Sequence, residues 1–484
     1  MFRPKYLLKD RLHYDLFSIV FCLLYGLLVG FSIMLDPKLG VVVAILPLSV
    51  WLVLVDKIFA LYLMLALYPF QATPFLSQNL LGISGAKPFH IISILVLGAC
   101  FYHDGELFFK QDTLRRKAIV YLGIYFAIYS IAVFRSLDYH QLLYELDPES
   151  FDSTIGKYLL TTYIRPSLYL IPFIYILNHI TTKKDIEKIV VFLSMVLGVL
   201  SIAIVVVSVS EGIIFARRSY IVWQKYFGYH YNAIGVFYTI LGPLVVLPAI
   251  KKRFWGLVNW CLALVAVVFL QSRTSLFLFI FGSLLMLFFL DRKKELIIFL
   301  SILFLMSFYY LPEFLLNTIQ IGVESGDLDK IFTGRIDHIW VPLISEWLEN
   351  PRLLFLGKGR FSMVTSSVYL KGIVIQTYSA HNAFVEFFLD NGIILLSGLI
   401  FFIIRLLKLA WHYVRTINSD IGWAFFVSIC CYLIATISGQ KIYPYTHNMF
   451  LFPIIALLIN YLRLNTPIWD HTGLLSNQQP GINE

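Results

Sequence analysis

The stretch KKDIEKIVVFLSMVLGVLSIAIVVV, residues 183–207, decides the class of fold. Two lysines open it, and from Ile189 to Ser210 no charged residue interrupts it. An apolar run of roughly 20 residues is what an α-helix needs to cross the hydrocarbon core of a bilayer. The Lys183-Lys184 pair ahead of the run assigns that end to the cytoplasm, where loops retain Lys and Arg. The rest of the 484 residues repeats this pattern. Hydrophobic residues make up 59% of the chain and charged residues 14%, with a mean hydropathy of +0.78. A soluble domain has roughly 45–50% apolar and about 25% charged residues, so a water-soluble globule is excluded. Disorder needs low hydrophobicity and high charge, and is excluded as well. Cys22, Cys100, Cys261, Cys430 and Cys431 all sit in apolar runs without metal-ligand spacing, which argues against a disulfide framework or a zinc site. The composition predicts an all-α polytopic integral membrane protein.

Fourteen candidate spans centre near residues 25, 47, 63, 96, 126, 168, 199, 241, 262, 282, 304, 394, 429 and 455. The third, ninth and eleventh are short or crowded, so 12–14 transmembrane helices are expected. The first follows Arg3, Lys5, Lys9 and Arg11 and lacks a small-residue cleavage site, which marks it as a span rather than a signal peptide. With the N-terminus in the cytoplasm, 22 of the 38 Lys and Arg fall on that side. Among them are Arg115-Arg116-Lys117, Lys251-Lys252-Arg253 and Arg292-Lys293-Lys294. Both termini come out cytoplasmic. The net charge of +9 is therefore a topology signal and implies no nucleic-acid partner.

The expected organisation is an N-terminal bundle over 1–311 with about 11 spans, a large extracytoplasmic loop over 312–381, about three further spans over 382–463, and a cytoplasmic tail over 464–484. Cytoplasmic connections are short and carry no Gly-rich phosphate loop, so ATP hydrolysis has no home there. The substantial loops, near 71–87, 136–158, 210–231 and 312–381, place any chemistry outside.

Within the longest loop, Thr333-Gly334-Arg335 opens a pattern in which Ile336, Ile339, Trp340, Leu343, Ile344, Trp347 and Leu348 recur at helical spacing. Thr333 reads as the N-cap and Asn350-Pro351 as the stop. This amphipathic helix is expected on the membrane surface or against the bundle. Arg335 falls in a first turn, where free N–H groups already favour an anion, and is a candidate phosphate ligand; a solvated arginine is an equal reading. Gly357-Lys358-Gly359-Arg360 reads as a flexible turn with two cations, without the helix that a P-loop requires. His381-Asn382 opens the twelfth span, followed by Glu386, Asp390 and Gly392. A lone histidine there is more often a cap than a catalyst, but its proton affinity suits it to accept a proton from a hydroxyl.

Arg273, in the tight turn Gln271-Ser272-Arg273-Thr274 between two apolar runs, is costly at a membrane unless paired or functional, and function is the preferred reading. For Arg217-Arg218, ahead of Gly228-Tyr229-His230-Tyr231-Asn232, snorkelling to lipid phosphates is an equal reading. Arg165, inside the sixth span, is expected to pair internally with a carboxylate. Asp327-Leu328-Asp329 reads as solvated loop rather than a metal site. Arginine forks on an outer face suit phosphate oxygens. The chemistry that fits is transfer of a glycan from a polyprenyl diphosphate to a hydroxyl, with His381 as base and no cofactor or metal. The leaving diphosphate needs charge stabilisation rather than an acid.

The segment from Gly334 to Gly398 resembles the signature region of the O-antigen ligase and polymerase superfamily. The matching residues are Gly334-Arg335, Trp340, Pro351, Gly357-Lys358-Gly359, His381-Asn382 and Gly392; upstream, Ser272-Arg273 and Asn232 with Gly242-Pro243 also correspond. The resemblance implies that Arg273 and Arg335 hold the donor diphosphate, that Arg217 or Arg218 fills a further arginine position, and that His381 activates the acceptor hydroxyl, with Asn382, Gly334 and Trp340 in support. It implies an undecaprenyl-diphosphate-linked glycan as donor and lipid A–core as acceptor, at the periplasmic face of a bacterial inner membrane. A polymerase, whose acceptor is a second lipid-linked unit, shares this donor chemistry. The alternative of another class is a lipid-linked oligosaccharide transporter, for which internal repeats and midplane charges would be expected.

Overall fold

The computed structural model describes residues 56–74, 87–104, 113–148, 151–213, 220–292, 335–374 and 379–465, a few single positions apart. The expected spans near 25, 47 and 304, the tail 464–484 beyond Asn465, and the residues Arg217, Arg218, Asp327, Asp329, Thr333 and Gly334 lie outside the described residues. Within them every regular element is helical. In chain order these are α1 (Lys57–Leu67), α2 (Pro88–Asp104), α3 (Thr113–Ser136), α4 (His140–Leu146), α5 (Ile155–His179), α6 (Lys183–Ser210), α7 (Tyr220–Phe227), α8 (Tyr231–Ile250), α9 (Phe254–Phe269), α10 (Arg273–Phe289), α11 (Val341–Glu349), α12 (Pro351–Leu356), α13 (Ala383–Ile417), α14 (Asp420–Ile437) and α15 (Leu451–Asn465). Among the described residues, six helices are long and apolar enough to cross a membrane, and five more are shorter and apolar. The chain is an all-α polytopic membrane protein.

The bundle is organised around α8, which is buried along nearly its whole length and packs on α6, α9, α10 and α14. Small residues allow this. A Cβ on Gly235 would stand 2.1 Å from the Ser275 hydroxyl of α10, and one on Gly242 2.8 Å from the Phe279 ring. Close approach through small residues, with a few interhelical polar contacts, is how helices associate where lipid removes the usual hydrophobic drive. Asn259 of α9 supplies one such contact, donating to the Ser194 carbonyl of α6 at 2.7 Å.

A second apolar core sits beside the bundle, joining Leu143, Tyr158, Ile339, Leu343, Trp347, Val364 and Leu389. The amphipathic segment expected in the long loop is thus packed on the bundle. Its N-terminal turn, Ile336–Trp340, is π-helical and begins directly after Arg335. Its end falls at Asn350 as the sequence implies, and the Asn350 carboxamide then caps α12 by accepting from Arg352 N at 3.1 Å.

Helix α13 differs from the sequence expectation in one respect. Its 35 residues are broken at Gly392, where φ is 77° and ψ 176°. His381-Asn382 therefore opens a short buried helix that ends at the break, and the apolar span follows it.

Candidate functional site

The break at Gly392 is part of an interlock with the Gly357-Lys358-Gly359 turn. A Cβ on Gly392 would lie 2.3 Å from the Phe355 carbonyl, and one on Gly357 2.4 Å from the Asp390 carbonyl. The Lys358 and Gly359 amides donate to the carbonyls of Leu389 and Asp390 at 3.0 and 2.9 Å. Positive φ at Gly357 (68°) and Gly359 (115°) lets the chain run this close. The turn is consequently not flexible, and its two cations are not free. Arg360 is buried and ion-paired with Asp390 at 3.1 Å, its guanidinium between the Phe361 and Tyr443 rings at 4.5 Å from each. Burial works against the Arg360 charge, and the carboxylates of Asp390 and Glu386 more than offset it. Lys358 donates to the Thr365 carbonyl at 2.6 Å.

His381 stands at the other end of the short helix, in left-handed backbone conformation with φ 53°. Its neighbours are fastened from three sides. Asn382 caps the helix, accepting from Phe384 N at 2.9 Å and Val385 N at 3.2 Å. Trp340 Nε1 donates to the Ala380 carbonyl at 2.6 Å, tying α11 to the residue before His381. Ser379 Oγ accepts from His381 N at 3.2 Å and from Lys441 Nζ at 2.9 Å, and donates to Glu386. Lys441 in turn pairs with Glu386 at 2.5 Å. Replacing Trp340 by Phe keeps the ring and removes the donor to Ala380. The expected cost is about 1 kcal/mol of stability, read as a lowered melting temperature, with a larger proportional loss of activity because the His381 loop loses its register.

The loop after α14 closes over this histidine. A Cβ on Gly439 would lie 3.3 Å from His381 Nδ1, and Arg335 Nη1 donates to the neighbouring Ser438 carbonyl at 3.4 Å. Burial, then the charges of Arg335 and Lys441, push the His381 pKa down to about 4, so the ring is neutral at pH 7. Burial also lowers the proton affinity of Arg335 and Lys441. A neutral imidazole beside a half-buried guanidinium is an arrangement that holds an anion and still accepts a proton.

The structure brings Arg273 to the same end of the bundle through its neighbours. Ser272, the N-cap residue of α10, donates to Asn232 Oδ1 at 2.9 Å, and Asn232 is two residues from His230, which is close enough to His381 to depress its proton affinity. Arg335, Trp340, His381 and Asn382 are therefore assembled together, and Arg273 follows the residue, Ser272, that bonds to the Asn232 segment. Arg165 does not follow expectation: among the described residues it has no carboxylate partner, and its buried Nε lacks a hydrogen bond. Sequence reasoning gave no role to Lys441 or Glu386. Two signals pointed to them. Asn382, Glu386 and Asp390 form a polar stripe at four-residue spacing, and Lys441 is the sole Lys or Arg between Arg415 and Arg463.

Residues 258–403, which contain Ser272-Arg273, the π-helical turn, the glycine interlock and His381, match the family model described as O-antigen ligase. No curated protein matches the chain. The match covers residues 258–403 and supports a relationship of that segment to the O-antigen ligase and polymerase superfamily.

Proposed function

We propose that the chain is a ligase-like glycosyltransferase that moves a polysaccharide from undecaprenyl diphosphate to an acceptor hydroxyl, lipid A–core, at the periplasmic face of a bacterial inner membrane. The observation that carries this reading is the neutral, thrice-fastened His381 beside Arg335 in a segment of the matched domain. Arg335 and Arg273 would hold the donor diphosphate through paired N–H donors, with Arg217 or Arg218 as a third cation. His381 would take the acceptor proton as the hydroxyl oxygen bonds to the anomeric carbon. The bond from that carbon to the diphosphate oxygen breaks in the same step, and the lipid diphosphate leaves as a stable anion that the arginines stabilise. Asn382 caps the short helix behind His381, and Trp340 ties the π-helical turn to the histidine loop. The donor is already activated, so neither ATP nor metal enters the scheme.

The test is transfer by purified protein in liposomes, with undecaprenyl-diphosphate glycan as donor and EDTA throughout. Product on lipid A–core identifies a ligase. A ladder on the lipid carrier identifies the polymerase that shares the donor chemistry. Absence of turnover with both acceptors in folded protein would defeat the enzymatic reading in favour of transport. Arg273→Lys keeps the charge and loses the fork; transfer is expected to fall at least about tenfold, the scale of one charge-assisted hydrogen bond. Wild-type rates in that variant would remove Arg273 from the donor site.

A further inference from the structure

A cavity of about 390 Å³ is walled in part by Tyr445 and Thr446, from the loop after α14 that also closes over His381. Lys87, His90, Gln71, Arg165 and Tyr445 contribute to its wall, and a smaller adjoining cavity shares Lys87 and Arg165 with it. The volume is that of a small-molecule site. Its charge is unusual for an interior space. Lys87 and Arg165 are near enough that burial, and then Arg165, lower the Lys87 proton affinity. Among the described residues neither has a carboxylate at ion-pair distance. Asp152 lines the adjoining cavity and accepts from Thr161 Oγ1 at 3.0 Å. Among the described residues the wall of the larger cavity holds two half-buried cations that disfavour one another's charge and no acid, an arrangement that an anion from outside would stabilise.

The backbone around Arg165 is also special. Two π-helical turns occur among the described residues: Leu160–Ile164 runs directly into Arg165, and Ile336–Trp340 directly follows Arg335. Such turns re-aim side chains and recur at functional positions. One loop links the two places, since Ser438 and Lys441 meet Arg335 and the His381 loop while Tyr445, four residues on, lines the cavity.

We propose that the Lys87–Arg165 cavity binds the phosphoryl group of the glycan acceptor, a phosphate-bearing lipid, and thereby seats its hydroxyl beside His381. This rests on the transferase reading above, in which the donor diphosphate occupies the Arg335 side. A reaction between two lipid-borne glycans needs two anion sites flanking one base, and the cavity is the second. Both acceptors under consideration, a phosphorylated glycolipid and a diphosphate-linked repeat unit, present this chemistry.

The experiment compares the full-length wild type with Lys87→Gln/Arg165→Gln and with the charge-retaining Lys87→Arg, all in nanodiscs of uncharged lipid. Binding is measured first, without any transfer, for diphosphoryl lipid A, its dephosphorylated form, polyprenyl phosphate and inorganic phosphate. At least tenfold weaker binding of a phosphorylated lipid by the double variant is expected, with Lys87→Arg near wild type and the dephosphorylated lipid indifferent to all three. In the transfer assay the acceptor KM is expected to rise about tenfold while the donor KM stays put. Equal binding of every probe by wild type and double variant would overturn the cavity as an anion site. A difference confined to inorganic phosphate would overturn the lipid acceptor as its source, and a shift in donor KM alone would assign it to the other substrate. Because binding is read without turnover, a wild type that binds but never transfers would defeat the transferase reading and leave the anion site standing.

Discussion

His381→Asn is expected to lower glycan transfer by about 10²–10⁴-fold, the range typical for loss of a general base, while the protein stays folded and inserted. Asparagine is the better probe than alanine. His381 has φ 53°, a left-handed conformation that asparagine tolerates, whereas alanine adds a backbone cost of roughly 1–2 kcal/mol that would blur the kinetic result. Wild-type turnover in His381→Asn would eliminate the base. The pH profile gives an independent reading. The base-competent form is the neutral ring, and in the free protein its pKa is pushed down to about 4. Activity per unit of free enzyme, kcat/KM, should therefore be flat around neutrality and fall only as pH drops toward 4. A bound diphosphate would oppose the charges of Arg335 and Lys441, so the limb in kcat should lie at higher pH than the limb in kcat/KM. Coincident limbs would mean that the donor's charge does not reach His381.

Breaking the Arg360–Asp390 pair is expected to be the most destabilising single change in the second core. The pair is buried on both sides, at 6% and 3% side-chain exposure, and Asp390 also accepts from Ser362 N and Oγ. Arg360→Met leaves the Asp390 carboxylate uncompensated, which costs about 3–5 kcal/mol for a buried pair. Removing both charges, in Arg360→Met/Asp390→Leu, should recover much of the loss, since a well-packed apolar replacement is often neutral. The comparison is made by thermal unfolding in detergent. Arg360→Met with an unchanged melting temperature would show that water reaches the pair. Substrate should matter little to this outcome, because Arg360 is enclosed by Phe361, Tyr443 and the Ala132 carbonyl that its amide reaches at 2.7 Å.

The helices were legible because their signal is local. Ile189 to Ser210 has no charge to interpret, and α8, α10 and α14 follow from runs of the same kind. Asn350 as the end of the amphipathic segment was equally plain, being the residue before a proline. What the sequence concealed is pairing over distance. Arg360 reads as one of two cations on a glycine turn because nothing nearby announces Asp390, thirty residues on. Lys441 and Glu386 are separated by 55 positions and meet only once α14 and the loop after it have folded back over α13. The break at Gly392 was hidden by the apolar Ile393-Ile394-Leu395-Leu396 that follows it, which continues the helical pattern without a gap. Of the candidate site, His381, Asn382, Trp340 and Arg335 were visible as residue types at telling places, but the bonds that join them were not. Arg165, expected to pair internally with a carboxylate, instead stands beside another cation, Lys87, with no carboxylate at ion-pair distance among the described residues.

The broken helix has a mechanical consequence. A membrane span adjusts to a thicker or thinner bilayer by tilting, and an unbroken α13 would carry that tilt rigidly to the residues at its mouth. Here the nine residues between Asn382 and Gly392 are fastened to α11 and to the glycine turn after α12, while the apolar part beyond Gly392 is largely exposed along its length. The span is free to follow hydrophobic mismatch and the histidine is not obliged to follow the span.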